Sequence, residues 1–235
     1  MDQQDDLALA QRPASTARRP KRRRLSPAER RKQILDAAVA YFAEVGFDGG
    51  TRALARKLGV TQPLIYRYFP SKEDLIKEVY NEVYLSRWRA EWEDLLSDRS
   101  LPLRDRLVTF YERYTEMIFE SDWLRIYLFA GLRGIGINKW WLTFVEQRIL
   151  RRVAEEIRAE YDLPGLDAVP LQEAEIDLYW MFHGGVFYYG MRRHVYHAEP
   201  HLDLKRFIGL SVDSLLHGMP QTVASVLGKT DGPMT

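Results

Sequence analysis

The stretch from Thr51 to Lys72 constrains this chain more than any other, because it reads as two short helices joined at Gly59. Ala55 is small at the point where two steeply angled helices would touch. Gly59 can take the left-handed conformation that a tight interhelical turn needs. Leu54, Leu58, Val60, Ile65 and Tyr68 supply apolar contacts across the pair. Thr61 is placed to N-cap the second helix, with Pro63 in its first turn. This is the pattern of a helix-turn-helix, whose second helix enters the major groove of DNA. An ordinary helical hairpin would share the apolar pattern but not the outward face. Arg52, Arg56, Lys57, Gln62, Tyr66, Arg67 and Lys72 are nearly all of types that bind phosphates or bases, and no carboxylate falls between Thr51 and Lys72.

The charge distribution points the same way. Net charge is only +1, yet residues 18–72 hold 14 Lys and Arg against 4 Asp and Glu. Residues 73–235 carry 19 against 26, so a basic head precedes an acidic body. Such asymmetry fits one face for nucleic acid and a different task elsewhere. The run Arg18–Arg24 contains six basic residues, beside the first expected helix. It suits an arm along phosphates or into a minor groove.

The order Ile34-Leu-Asp-Ala-Ala38, Phe42, Gly46-Phe47, Thr51, Leu54-Ala55, Leu58-Gly-Val-Thr61, Tyr66, Tyr68-Phe69 and Ser71-Lys-Glu-Asp-Leu75 resembles the TetR family of bacterial transcriptional regulators. The resemblance covers about Arg30 to Leu75. Within it, the Thr51-Arg52 pair, the Leu58-Gly-Val60 turn and the Gln62-Pro63 pair are most like those of the tetracycline repressors, with Leu64 standing where these have threonine. It implies an all-α fold: an N-terminal three-helix DNA-binding unit, then a larger helical domain for effector binding and dimerisation.

Arg52 and Gln62 are the expected base readers. A guanidinium fork matches O6 and N7 of guanine, and a glutamine amide matches N6 and N7 of adenine. Pro63 and Leu64 suit thymine methyls. The resemblance supports Arg52 and Gln62 in that role and implies phosphate contacts for Thr51, Tyr66 and Lys72. Arg67 suits either role, and Thr61 completes the set at the start of the helix.

Four units are expected: a disordered basic arm over 1–25, a DNA-binding unit over 26–72, a helical body over 73–220 and a flexible tail over 221–235. Ser26-Pro-Ala-Glu29 forms a capping box for the first helix, whose apolar face holds Ile34, Ala38, Tyr41, Phe42 and Val45. Ser71 caps a fourth helix whose stripe runs through Trp88 and Trp92 to about Leu96. A helix that long would link head and body mechanically. Further helices are expected near 103–120, 121–129, from an Asn138 cap to about 157, 171–193 and 202–216. The tail follows Pro220.

The body is rich in aromatics. Trp88, Trp92, Phe110, Tyr114, Trp123, Tyr127, Trp141, Phe144 and Trp180 are expected to pack the core and, together, to line an apolar effector pocket of the kind the family resemblance implies. Arg125, Arg133 and Arg148 are candidates to meet an anionic group. Gly184, Gly185, Val186, Tyr189, Phe207, Ile208, Val212 and Leu215 are candidates for a homodimer interface, where small residues would let backbones approach.

Apolar residues make up 46% of the chain, enough for a real core, and no apolar run approaches a membrane span. There are no cysteines, so disulfides and thiolate metal sites are excluded. His194, His197 and His201 lie close in sequence, but a helix end is expected between them, so no metal or cofactor is assigned. No phosphate-cradling glycine loop or nucleophile elbow supports an enzyme. The expected function is a ligand-responsive homodimeric repressor on a near-palindromic operator, with a small-molecule effector, in the cytoplasm at the nucleoid and without a membrane. The alternative is a dimeric architectural or protein-interaction factor on DNA with no effector.

Overall fold

A computed structural model describes residues 25–228 of the chain. The basic run Arg18–Arg24 therefore lies outside the described residues. Within them the fold is all α, with no strand.

Helix α1 (Pro27–Val45) starts at Ser26, whose hydroxyl accepts from the Glu29 amide while the Glu29 carboxylate accepts from the Ser26 amide. Both halves of the capping box are therefore formed. Ile34, Ala38, Tyr41 and Phe42 face inward, whereas Val45 is exposed. Gly46 ends the helix at φ 71°, a value that favours glycine. Helices α2 (Thr51–Leu58) and α3 (Gln62–Tyr68) follow, and α4 (Lys72–Val83) packs back on α1. Ser71 caps α4, its hydroxyl accepting from the Asp74 amide at 2.9 Å.

The long linking helix is not observed. The chain leaves α4 at Val83, makes a 3₁₀ turn over Leu85–Arg87, and extends at Trp88 before α5 (Glu91–Ser97). No glycine or proline marks this break. The Ser86 hydroxyl donates to the Glu82 carbonyl, a local bond that competes with regular helix. The turn also sets Trp88 edge-on to Trp92 and Phe144, with ring centroids 5.1 and 5.0 Å apart.

The body contains α6 (Leu103–Ile118), α7 (Ser121–Leu132), α8 (Ile137–Val145), α9 (Arg151–Glu160), α10 (Glu173–Gly190) and α11 (Leu204–Val226). Helix α7 extends three residues past its expected end, through Gly131 to Leu132, and Asn138 does not cap α8. Asn138 sits inside α8 and donates to the Tyr127 carbonyl at 3.0 Å, tying α8 to α7. A π turn over Glu146–Leu150 joins α8 to α9, and a second over Met191–Val195 extends α10. Helix α6 packs on α5, α7, α9 and α11, while α10 pairs with α11.

Helix α11 runs straight through Pro220 to Val226, so the first part of the expected tail is helical. Met219, Pro220, Val223 and Ala224 are buried. Burial of this apolar face outweighs the helix-breaking tendency of a single proline.

Two buried ion pairs brace the body. The Arg158 guanidinium meets the Glu175 carboxylate with both side chains at 0% exposure. It also donates to the Pro164 and Val169 carbonyls, which fixes the 161–172 connection. Arg106 and Arg99 both donate to Glu156, at 2.7 and 3.1 Å. Burial alone would raise the Glu156 pKa; the two arginines outweigh it and hold the carboxyl below its usual range.

Candidate nucleic-acid interface and body cavity

The turn between α2 and α3 has the expected geometry. Gly59 is left-handed, at φ 65° and ψ 34°, and its amide donates to the Arg56 carbonyl at 3.1 Å. Leu54 and Ile65 are fully buried, with Leu58, Val60 and Tyr68 packed against them. Thr61 occupies the N-cap position of α3, although its side chain makes no capping hydrogen bond.

Three expected DNA contacts form one cluster. The Gln62 amide donates to the Thr51 hydroxyl at 2.8 Å, and that hydroxyl lies 2.9 Å from the Tyr66 hydroxyl. Thr51 is buried, so it acts as a strut that fixes the start of α2 against α3. Tyr66 and Gln62 remain at the surface around it. A link between side chains 15 residues apart is invisible to a reading of local spacing. Lys72 is also engaged, its ammonium donating to the Phe47 carbonyl at 2.9 Å.

Arg52, Arg56 and Arg67 are exposed and make no hydrogen bond or ion pair among the described residues. Pro63 is exposed and Leu64 half-buried beside them. Helices α2 and α3 therefore present three uncommitted guanidiniums together with the Gln62 and Tyr66 side chains. That is a surface able to meet phosphates and base edges together.

Within the body, a cavity of about 170 Å³ lies between α6, α7, α8 and α10. Five expected pocket residues line it: Tyr114, Trp123, Tyr127, Trp141 and Trp180. Trp88, Trp92, Phe110 and Phe144 lie outside that lining and form an edge-to-face aromatic cluster. Leu142, Val145, His183, Gly184 and Phe187 complete the walls. Trp123 and Tyr127 stack at 5.1 Å, and Trp123 meets Trp141 edge-on at 5.6 Å.

His183 escapes a reading of aromatic content. It is a single imidazole on the inner face of α10, between Tyr179 and Val186. Its two ring nitrogens each lie 3.3 Å from a tyrosine hydroxyl, Nδ1 from Tyr111 and Nε2 from Tyr114. Burial disfavours the imidazolium and pushes the pKa down to about 4. Burial likewise raises the pKa of Tyr111 and Tyr114, so the three rings are neutral at physiological pH.

The three body arginines do not reach the cavity. Arg125 donates through Nε to the Ala43 carbonyl at 2.5 Å and through Nη2 to the Glu44 carbonyl at 3.2 Å. It caps the C-terminus of α1, which the helix dipole favours. Arg133 pairs with Asp48, and Arg148 pairs with Glu93 at 3.0 Å. Helix α7 thus lines the cavity on one side and holds the end of α1 on the other.

The proposed dimer residues divide. Val186, Tyr189, Ile208, Val212 and Leu215 are buried within the chain's own core. They pack in the α10–α11 contact, and Val186 and Leu215 also line a groove between these two helices. Gly184 and Gly185 are exposed and Phe207 is half-buried. The outward apolar residues of this pair are Met181, Tyr188 and Leu210, with 68%, 55% and 49% exposure. Among the described residues, no group of three or more His, Cys, Asp or Glu is placed to share a metal ion. No helix there is long and apolar enough to cross a membrane.

Residues 34–79 match the sequence model of the bacterial regulatory proteins, tetR family. The chain is 30% identical over 118 residues to the HTH-type transcriptional regulator LuxR of Vibrio harveyi, covering 48% of this chain and 55% of that protein. It is 30% identical over 88 residues to the tetracycline repressor protein class D of Escherichia coli, covering 34% and 40%. The chain thus spans about half, or less, of the length of these relatives. Over most of its length it shares its fold with solved regulators. A tetR-family transcriptional regulator from Streptomyces coelicolor superposes with a TM-score of 0.56 at 16% identity, over 87% of each chain. A TetR-like transcriptional regulator from Rhodococcus sp. RHA1 gives 0.56 at 19% identity, over 83% of this chain and all of that one. Residues 34–79 are thus similar in sequence to the tetR family of bacterial regulatory proteins, and the described chain has the fold of solved tetR-family regulators.

Proposed function

We propose that this protein is a homodimeric, ligand-responsive repressor that binds a near-palindromic operator. The observation that carries the reading is the α2–α3 pair, which exposes Arg52, Arg56 and Arg67 and joins Gln62 and Tyr66 through Thr51. Arg52 and Gln62 read bases in this reading, and Pro63 and Leu64 meet thymine methyls. Tyr66, Lys72 and the buried strut Thr51 set register on phosphates, with Thr61 at the helix start and Arg67 free for either task.

The dimer is supported by the exposed apolar residues Met181, Tyr188 and Leu210 and by a groove of about 550 Å³ between α10 and α11. An exposed apolar groove marks an association surface, and in this reading a second copy covers it symmetrically. Ligand control is supported by the aromatic cavity and by Arg125, which joins the cavity wall α7 to the end of α1. A ligand that shifts α7 changes the placement of the head, and operator and ligand then weaken each other by the same factor.

The experiment is footprinting on genomic fragments selected by the purified protein, with sedimentation at micromolar concentration. The expected result is a dimer protecting two half-sites about one helical turn apart, or a multiple of it. A monomer protecting a single isolated half-site overturns the symmetric reading.

A further inference from the structure

We infer that the cavity between α6, α7, α8 and α10 takes a small uncharged aromatic molecule that carries a hydrogen-bond acceptor, held by the indole N–H of Trp123. The inference deepens the effector reading above and rests on it for its biological meaning.

Size comes first. An apolar cavity of about 150 Å³ in another protein accepts benzene. At about 170 Å³, this cavity holds one aromatic ring with a small substituent. Its walls offer the edges and faces of Trp123, Tyr127, Trp141 and Phe187, which suit a ring at van der Waals distance.

Charge comes second. No Lys, Arg, Asp or Glu lines the cavity. Arg125, Arg133 and Arg148 are committed to Ala43 and Glu44, to Asp48, and to Glu93. His183 is buried between two tyrosine hydroxyls and stays neutral. A carboxylate or ammonium entering here would lose its hydration without gaining a counter-charge.

The polar handle comes third. Three buried side-chain polar atoms lack a partner among the described residues: Trp123 Nε1, Asn138 Oδ1 and Arg192 Nε. Only Trp123 belongs to the cavity wall. Its side chain is 1% exposed. A buried donor left unmade costs free energy, so an acceptor that reaches it is rewarded. The Tyr114 hydroxyl, also in the wall, is already placed at 3.3 Å from His183. Two of the lining residues, Leu142 on α8 and Gly184 on α10, are exposed. A Cβ at Gly184 would meet nothing within 4 Å, so glycine there keeps an opening rather than a tight contact.

The test uses three single-ring probes of similar size on the full-length protein. Acetophenone is uncharged with an acceptor, ethylbenzene is uncharged without one, and benzoate is anionic. Binding is read by calorimetry and by quenching of tryptophan fluorescence. Acetophenone should bind about 2–10-fold more tightly than ethylbenzene, the contribution of one hydrogen bond. Benzoate should bind weakest. Trp123→Phe should erase the difference between the first two probes while retaining ethylbenzene binding. Gly184→Leu, whose side chain has room, should abolish binding of both. Benzoate binding as tightly as acetophenone, or an acceptor preference that survives in Trp123→Phe, overturns the inference. Should Trp123→Phe fail to fold, the wild-type probe order and Gly184→Leu still decide it. These titrations are read without DNA, so they stand apart from the operator response.

Discussion

The Tyr161 hydroxyl donates to the Leu216 carbonyl at 2.9 Å, and Leu216 is the residue whose carbonyl Pro220 leaves without a helical amide. In a regular helix the amide of residue 220 would donate to residue 216, and proline has no amide hydrogen. A side chain from the end of α9 thus repairs the ladder of α11. It adds to the burial of Met219, Val223 and Ala224 in carrying α11 on to Val226. Tyr161→Phe should cost about 1 kcal/mol or less, since Tyr161 is partly exposed. In a Pro220→Ala background the backbone amide returns, and the same substitution should cost less. Urea denaturation of the two single variants and the double variant gives the coupling. Additive effects would show that the bond does not compensate for the proline.

The DNA face gives separable effects. Arg52→Ala should relax preference at one base pair by roughly 1–3 kcal/mol. Lys72→Ala should weaken binding to all sequences and reduce the salt slope by about one unit. Lys72 also donates to the Phe47 carbonyl, so its loss has a structural component that thermal denaturation measures. Thr51→Val should remove the strut between Gln62 and Tyr66 and weaken specific binding more than non-specific binding. Equal loss on specific and non-specific DNA for all three would refute the division into readers and positioners.

His183 predicts a pH dependence of stability. Burial lowers its pKa in the folded chain to about 4, against 6.5 for the unperturbed group. Between these values the unfolded chain binds the extra proton, so stability falls as pH drops from about 6.5 towards 4. The contribution is fully present above about 6.5. Its loss across the window should be roughly 3 kcal/mol. His183→Gln does not titrate there, so its stability should change less with pH than that of the wild type. Parallel profiles for the two proteins would show that His183 titrates normally.

Much of this architecture was legible in the sequence because its signals are local. Gly59, Ser26 with Glu29, and Ser71 each act within a few residues of themselves, and each sits as expected. The break after Val83 and the continuation through Pro220 were not legible. The first allows Trp88 to pack on Phe144, and the second involves burial of Val223 and a hydroxyl 55 residues away from the carbonyl it bonds. The division of the α10 and α11 residues between inner and outer faces is hidden for a related reason. Val186 and Ile208 have the apolar character of either an inner or an outer face, and only the pairing of α10 with α11 decides which. Aromatic content located the cavity, but His183 and the engagement of Arg125 needed tertiary contacts.

The last prediction concerns the route from cavity to DNA. Trp123 and Tyr127 line the cavity from α7, and Arg125 lies between them in sequence. Successive helical residues point about 100° apart, so Arg125 faces away from the two aromatics. It instead holds the Ala43 and Glu44 carbonyls at the end of α1, and Arg133 pairs with Asp48 just beyond. Any shift of α7 that accommodates a ligand therefore reaches the residues that lead into α2. Arg125→Gln keeps a shorter donor but loses the two-pronged grip. Operator affinity without ligand should change little, because the α2–α3 face is untouched. The coupling should fall: a ligand that weakens operator binding 5–150-fold in the wild type, the ordinary range for about 1–3 kcal/mol, should do so less in the variant. Ligand affinity for the free protein serves as the control and should be retained, since Arg125 does not line the cavity. Fluorescence anisotropy of labelled operator, with and without a saturating cavity ligand, measures both terms. Undiminished coupling in Arg125→Gln would place the route elsewhere, with the α4–α8 contact as the next path to test.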